Sequence, residues 1–331
     1  MGLYSPPPAS SSMSQPETKL KHVFIVAVRR SGTTWVTMLM AQHPQVVGLQ
    51  QSSFFYRLRQ FSQYFESHAG AYGRHILTSS KDSAASEAGL DRKAISSVIS
   101  MDRMHHFVRP LAEEVYAELA ASAENTLAVV DQQPENVHSW ERILEIFPEA
   151  YFLNVTRDPR SVFSSFVQCS KTWSNREAFS CDPIRFGNEW NGDIKLARSI
   201  QAKTDRYHEL SYEMLKRDGL QELGKLHEFL GLPTSESMCQ EAIDACTVDK
   251  LQKSKHGPKS FFRKGEVDGW RRELSRADIA IIEHMCFDFM EEMGYERSVV
   301  QDRQEPGAMG RQKFVNRVRA KLLRIAKERL S

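Results

Sequence analysis

The chain has 331 residues, 41% of them hydrophobic and 26% charged, which is ordinary for a globular protein and excludes a fibrous or wholly disordered one. The 44 basic and 42 acidic residues leave a formal net charge of +2. Overall charge therefore gives no indication of a nucleic-acid partner, and we expect none. The five cysteines include no Cys-x-x-Cys pair, which favours a reducing compartment over a disulfide framework.

The amino-terminal segment, residues 1–20, is rich in Pro and Ser and nearly free of large aliphatic side chains. Such a segment cannot bury enough apolar surface to offset its ordering entropy, so we expect a disordered tail. It lacks the basic stretch and the apolar run of a signal peptide. The longest apolar run in the chain, 23–28, is far shorter than the roughly 20 residues that cross a membrane. We expect a cytoplasmic protein.

Three short runs rich in Val, Ile and Leu predict strands that are buried on both faces of a parallel sheet: 22–28, 126–130 and 151–156. A helical stretch, 34–42, follows the first strand. Residues 139–147 have helical periodicity and separate the second strand from the third. Strand, helix and strand in this order predict a βαβ unit with a right-handed crossover.

Helical periodicity recurs over much of the remaining chain, at 111–122, 182–202, 220–230 and 276–293. Together with the strands, these helices predict one α/β domain over residues 21–300. We expect three layers, with a central and mainly parallel sheet.

Residues 301–331 form a basic tail of different character. Eight Lys or Arg and one acid lie between residues 311 and 331, and four apolar side chains share one helical face: Phe314, Val318, Leu322 and Ile325. A basic amphipathic helix can make peripheral contact with an anionic membrane. It can also pack its apolar face on its own domain, and the spacing leaves both interpretations open.

If the tail does meet a membrane, deleting residues 311–331 should reduce binding to anionic liposomes, because the deletion removes both the positive charge and the apolar face. Any activity toward a soluble substrate should stay unchanged. Liposome co-sedimentation measures the effect, and undiminished binding by the shortened chain would refute membrane contact through this tail.

The first candidate site is the passage from the first strand into its helix. One glycine and several hydroxyl residues follow two arginines there: Arg29, Arg30, Ser31, Gly32, Thr33, Thr34 and Trp35. The first N–H groups of a helix have no partner within it and attract anions. Gly32 allows close backbone approach, and the Arg30 guanidinium suits phosphate or sulfate oxygens. The sequence G-x-x-x-x-G-K-[ST] of ATP-binding loops is absent.

Two further clusters contain paired cations. Arg157 and Arg160 follow the strand 151–156, and ligands of open parallel sheets collect beyond the carboxyl ends of the strands. Arg157 is therefore placed for a second anion near the first loop. The third cluster sets two cations and a glycine among aromatic residues: Arg263, Lys264 and Gly265. Alone, it would be typical of an exposed basic loop.

Together the three clusters resemble the sulfotransferases that use 3′-phosphoadenosine-5′-phosphosulfate (PAPS). The resemblance extends over roughly residues 22–296. It implies that residues 30–35 bind the 5′-phosphosulfate. It also implies that Arg157 and Ser165 bind the 3′-phosphate and that residues 263–265 close over the same group. Tyr212, in a segment similar to the family's Y-E-D-L, and Trp35 are implied to contact the adenine.

The implied reaction is in-line attack on sulfur by a hydroxyl or amine of a small-molecule, glycan or lipid acceptor. PAPS is then a co-substrate, no metal is required, and Arg30 stabilises charge on the phosphate oxygens.

The general base is left open, because the chain departs from the family here. Family members carry Lys-Thr-His or acid-Lys-Thr-Pro after the second strand, whereas this chain carries Asp131, Gln132, Gln133 and Pro134. Where microbial members often have a catalytic glutamate, it carries Gln50 and Gln51. Our candidates, in order, are Asp131, then His106 or His105, then Glu135. For each, a structural role is an alternative: a helix cap, a surface pair of histidines or a solvated carboxylate.

Two other functions stay open on the sequence. One is a nucleotide kinase or other P-loop phosphotransferase, which the missing loop lysine argues against. The other is a non-catalytic nucleotide-binding homologue, which the glutamines at Gln50, Gln51 and Gln132 would suit.

Overall fold

The computed structural model describes residues 19–60, 101–173, 179–253 and 266–298, and for 101–105, 248 and 252–253 the backbone alone. Almost all of the predicted amino-terminal tail and the whole basic tail, 301–331, lie outside these ranges. So do Arg263, Lys264 and Gly265. Within the described ranges, no helix combines the length and the apolar character needed to span a bilayer.

The centre of the fold is a five-stranded sheet in which every pair of neighbours is parallel. Its strands are β1 (Lys21–Ala27), β2 (Val46–Gln50), β3 (Ala128–Gln132), β4 (Tyr151–Thr156) and β5 (Tyr207–Ser211). Their spatial order is β2-β3-β1-β4-β5. The predicted α/β class with a central parallel sheet is confirmed.

Helices surround the sheet and connect its strands. In chain order they are α1 (Thr33–Met40), α2 (Met101–Ala121), α3 (Trp140–Ile146), α4 (Pro159–Thr172), α5 (Pro183–Lys203), α6 (Tyr212–Arg217), α7 (Gly219–Phe229), α8 (Glu236–Ala245), α9 (Val248–Lys253), α10 (Trp270–Glu273), α11 (Arg276–Met285) and α12 (Phe287–Glu292). Residues 54–60 are also helical, and a 3-10 helix spans Pro134–His138. The single helix predicted over 276–293 is wrong in one respect, because Cys286 separates α11 from α12.

The two faces of β1 divide the core. Val23 and Ile25 belong to an apolar cluster that includes side chains of α1, α7 and α8. Phe24 and Val26 face a second cluster, to which α2, α3 and α5 contribute. Because successive side chains of a strand point to opposite faces, an unbroken apolar run is what a doubly covered strand needs. The three predicted layers are confirmed.

The order of the strands decides where a ligand can bind. The chain passes from β3 on one side of β1 to β4 on its other side. The loops that follow β1, β3 and β4 therefore diverge at the carboxyl ends of the strands, at the topological switch point of an open parallel sheet. Every candidate residue near the end of these strands therefore lies at the carboxyl end of the sheet.

His22, at the start of β1, makes the stability of the fold depend on pH. Its ring stacks on Phe147 at a centroid distance of 4.2 Å, and burial lowers its pKa to about 4 from the ordinary 6.5. The unfolded chain therefore binds more protons between these values, so the contribution of neutral His22 is full above pH 6.5 and declines as the pH falls toward 4.

In the variant His22→Gln, the free energy of unfolding should fall less between pH 7 and pH 4.5 than it does in the parent chain. Urea unfolding at several pH values measures this. The control is His106→Gln, which replaces an exposed ring and should keep the parent slope. Equal slopes in the His22→Gln variant and the parent would contradict a half-buried His22 that stays neutral in the folded chain.

Candidate active site

A cavity of about 350 Å³ lies at the carboxyl ends of the parallel strands. Its walls include the loop after β1, the segments after β2 and β3, the turn from β4 into α4, and helix α6 after β5. Helices α9 and α10 also contribute, through Leu251 and Trp270. Of the ten described residues predicted to bind the nucleotide, all but Ser31 line it: Arg29, Arg30, Gly32, Thr33, Thr34, Trp35, Arg157, Ser165 and Tyr212. The structure thus brings the first two predicted clusters together.

The loop between β1 and α1 has a backbone shaped for close approach. Arg30 and Gly32 both have positive φ, at 71° and 99°. A Cβ on Gly32 would lie 2.5 Å from Cδ2 of Tyr212, so the position requires glycine for both reasons. No side chain caps α1, which leaves its first N–H groups to a ligand. Ser31 is buried beside them, and its Oγ has no hydrogen-bond partner among the described residues.

Arg157, at the end of β4, is tied to this loop. Its Nη1 donates to the carbonyl oxygen of Arg30 at 3.2 Å. Its guanidinium carbon lies 4.3 Å from the centroid of the Tyr212 ring. The Nε atom is buried and has no hydrogen-bond partner within the described residues. A cation whose Nε is free to donate therefore lies beside the loop.

Arg30 reaches the helix that follows β4. Its Nε donates to Ser165 Oγ at 3.1 Å, and its guanidinium carbon lies 5.0 Å from the ring centroid of Trp173. The two predicted anion positions, the loop and the Arg157–Ser165 pair, are therefore adjacent parts of one cavity wall.

An aromatic slot forms the β5 end of the cavity. The rings of Trp35 and Tyr212 meet edge to face at 5.4 Å, and Trp35 Nε1 donates to the Cys246 carbonyl oxygen at 3.0 Å. Lys216 places its Nζ 3.9 Å from the Trp35 ring centroid. Burial, and then Arg157, lower the pKa of Lys216 below its ordinary value. Sequence reasoning missed Lys216, although it lies four residues after Tyr212 and hence on the same face of α6.

Amide and hydroxyl groups form the opposite wall, at the ends of β2 and β3. Gln132 Nε2 donates to Thr33 Oγ1 at 2.8 Å, which joins this wall to the loop. Gln51 and Ser53 line the cavity with a positive φ of 53° each. Such strained conformations in residues other than glycine cluster at functional sites. Glu135 completes the wall from the 3-10 helix.

Asp131, the first candidate for the base, does not line the cavity. It is completely buried and accepts hydrogen bonds from Ser52 Oγ, at 2.7 and 2.8 Å, and from the Tyr116 hydroxyl. The reason is strand alternation, since Asp131 lies on the same face as Val129, the face that α2 covers. Burial raises the pKa of its carboxyl group. Asp131 therefore anchors the residues that follow β2.

His106, the second candidate, also lies elsewhere. It is exposed on α2, with its ring against that of Phe107 at 5.8 Å. It is not among the residues that line the cavity. His105 is a residue whose side chain is not described.

Arg160 has a structural role despite its closeness to Arg157 in the sequence. It is buried and pairs with Asp158 and Glu283 at 2.7 and 2.6 Å. Its guanidinium carbon lies 4.0 Å from the ring centroid of Trp270, which lines the cavity. The pairing holds the start of α4, α10 and α11 together. Trp270 thus belongs to the cavity wall, whereas residues 263–265 are outside the described part of the chain.

A comparison with protein families shows which family the chain belongs to. A family model described as "Sulfotransferase family" matches residues 22–236, which include β1 to β5. The chain belongs to the sulfotransferase family. Transfer of a sulfuryl group is the chemistry of that family, and the predicted membership is confirmed.

Individual relatives are distant. A protein-tyrosine sulfotransferase of Drosophila melanogaster is 24% identical over 219 residues, which are 65% of this chain and 39% of that protein. The chain thus matches about two fifths of that relative's length. The sulfotransferase domain of the Synechococcus PCC 7002 olefin synthase has 18% identity and a TM-score of 0.53, with 85% of this chain and 98% of that chain covered. A mouse sulfotransferase, SULT7A1, solved in complex with PAP, has 14% identity, a TM-score of 0.49 and coverage of 82% and 84%.

Gly32→Ala should lower the free energy of unfolding by about 1–3 kcal/mol, because the new Cβ needs an unfavourable φ and overlaps the Tyr212 ring. Thermal or urea unfolding measures it. The control is Gly192→Ala inside α5, where no atom lies within 4 Å of the new Cβ and the change should stabilise the helix. Replacing Tyr212 by Ala in the Gly32→Ala variant should relieve part of the loss. A Gly32→Ala variant as stable as the parent would contradict the close packing.

Proposed function

We propose that this sulfotransferase takes its sulfuryl group from PAPS and transfers it to a hydroxyl or amine of a small-molecule, glycan or lipid acceptor. One observation carries the proposal: the uncapped start of α1 and the Arg157 guanidinium lie in one cavity wall, next to an aromatic slot. A donor with a 5′-phosphosulfate, a 3′-phosphate and an adenine needs these three elements in this order.

The 5′-phosphosulfate would lie on the loop between β1 and α1. There the backbone N–H groups of Gly32, Thr33 and Thr34 can donate to its oxygens. Arg30 adds a full positive charge beside them. As the bond between sulfur and the bridging oxygen breaks, negative charge grows on the leaving phosphate. Donors that are already oriented stabilise that charge without reorganisation.

The 3′-phosphate would meet Arg157 and Ser165. The unpaired Nε of Arg157 is a donor that this anion can satisfy, and a charge-assisted hydrogen bond to phosphate is stronger than a neutral one. The adenine would contact Trp35 and Tyr212, with Lys216 at the edge of the slot. Aromatic faces stack with any purine. The ammonium group of Lys216 can in addition donate a hydrogen bond to the base.

We expect Arg157→Ala to weaken binding of adenosine-3′,5′-bisphosphate about 10- to 100-fold, because a charge-assisted contact is lost. Arg30→Ala should reduce the transfer rate by about 100- to 1,000-fold and affect affinity less, because its charge acts chiefly on the leaving phosphate. Calorimetry measures the first effect. Sulfuryl transfer from labelled PAPS to a panel of phenols, sugars and amines measures the second.

The control is Arg217→Ala on α6, an exposed arginine paired with Asp218, which should match the parent in both assays. Tighter binding of ATP–Mg²⁺ than of the bisphosphate would instead support a phosphotransferase. Nucleotide binding without transfer to any acceptor of the panel would support a non-catalytic homologue.

A further inference from the structure

The order of the strands separates the cavity into two sides. The loop after β1 lies in the middle, because β1 is the central strand. Residues that follow β4 and β5 lie on one side, among them Arg157 and Tyr212. Residues that follow β2 and β3 lie on the other, among them Gln51 and Glu135. If the first side binds the nucleotide, as proposed above, the acceptor approaches the sulfur from the second side.

Three glutamates line the cavity within the described residues: Glu135, Glu266 and Glu273. Two of them belong to the nucleotide side. Glu266 pairs with Arg272, and its carbonyl oxygen accepts a hydrogen bond from Arg157 at 3.4 Å. Glu273 accepts a hydrogen bond from Ser164 on α4. Only Glu135 of these three lies beyond the end of β3, on the side left to the acceptor.

The carboxylate of Glu135 is held in place by its neighbours. Gln133 Nε2 donates to Oε2 at 2.5 Å. On the other side, the Nε of Arg29 lies 3.9 Å from Oε1. The side chain keeps 24% of its surface exposed, so a substrate can reach it. A glutamine and an arginine thus orient a carboxylate that still faces the cavity.

We infer that Glu135 is the general base of this sulfotransferase and that Gln133 and Arg29 position it. The inference rests on the proposed use of PAPS. The acceptor oxygen or nitrogen forms a bond to sulfur while the bond from sulfur to the bridging phosphate oxygen breaks. Adenosine-3′,5′-bisphosphate leaves with that electron pair. The proton of the acceptor passes to the Glu135 carboxylate and then to water, so charge and atoms balance.

The positions of Asp131 and His106, the two earlier candidates, exclude them as the base. The carboxylate oxygens of Asp131 accept hydrogen bonds from Ser52 and Tyr116 inside the core. His106 lies exposed on α2. A base must come within hydrogen-bond reach of the proton that it takes, and among Asp131, His106 and Glu135 only the last lines the cavity.

Glu135→Gln tests the assignment because it keeps the size and removes the basicity. We expect release of adenosine-3′,5′-bisphosphate from PAPS to slow by about 100- to 10,000-fold, both with water alone and with added acceptors. Affinity for the bisphosphate should stay within about twofold of the parent value. Among phenol acceptors, the loss should shrink as the phenol becomes more acidic, because such a phenol ionises without help.

Glu135→Asp should recover part of the rate, and Glu141→Gln, an exposed change on α3, should match the parent. Unfolding curves confirm that each variant is folded. Release of the bisphosphate by Glu135→Gln at the parent rate would overturn the assignment. So would a tenfold loss of nucleotide affinity, because Glu135 would then serve binding. A parent chain that does not bind the bisphosphate would instead refute the proposed use of PAPS.

Discussion

The contact between Tyr212 and Gly32 is the constraint on which the site depends. The Tyr212 ring leaves no room for a side chain at position 32 in the loop after β1. The Arg157 guanidinium packs over this ring and in turn donates to the Arg30 carbonyl oxygen. The ends of β1, β4 and β5 are thereby fixed to one another. An anion-binding loop needs such fixing, since N–H groups stabilise charge best when they are already oriented.

The parallel sheet gives this arrangement its direction. Because β1 is central, its loop has a neighbour on each side, and the neighbours differ in chemistry. On the β4 side stand cations and aromatic rings, which suit a nucleotide. On the β3 side stand Gln132, Gln133 and Glu135, which suit a polar group that loses a proton. A sulfuryl group bound at the loop would lie at the boundary between the two.

The sequence predicted the parts of the fold whose signals are local. The strands at β1, β3 and β4 are apolar on both faces, and a doubly covered strand requires that pattern. The strands β2 and β5 escaped prediction, because they lie at the edges of the sheet and their side chains are only partly buried. The break at Cys286 also escaped, since the apolar spacing continues across it.

For the site, position along the chain was predictable and side-chain direction was not. The end of β3 was predicted to supply candidates for the base, Asp131 and Glu135. Whether Asp131 or its neighbours face the cavity depends on which layer covers each face, and that is a property of the folded sheet. Lys216 was missed for a related reason. Its contact with Trp35 joins α6 to α1, two helices far apart in the sequence, so only the folded chain shows it.

A crystal structure with adenosine-3′,5′-bisphosphate would test the central claim most directly. The account predicts that the 5′-phosphate lies at the start of α1, the 3′-phosphate against Arg157, and the adenine beside Trp35 and Tyr212. The Glu135 carboxylate should then face the empty position next to the 5′-phosphate. A bisphosphate bound outside this cavity, or reversed within it so that the 3′-phosphate occupies the α1 loop, would contradict the account.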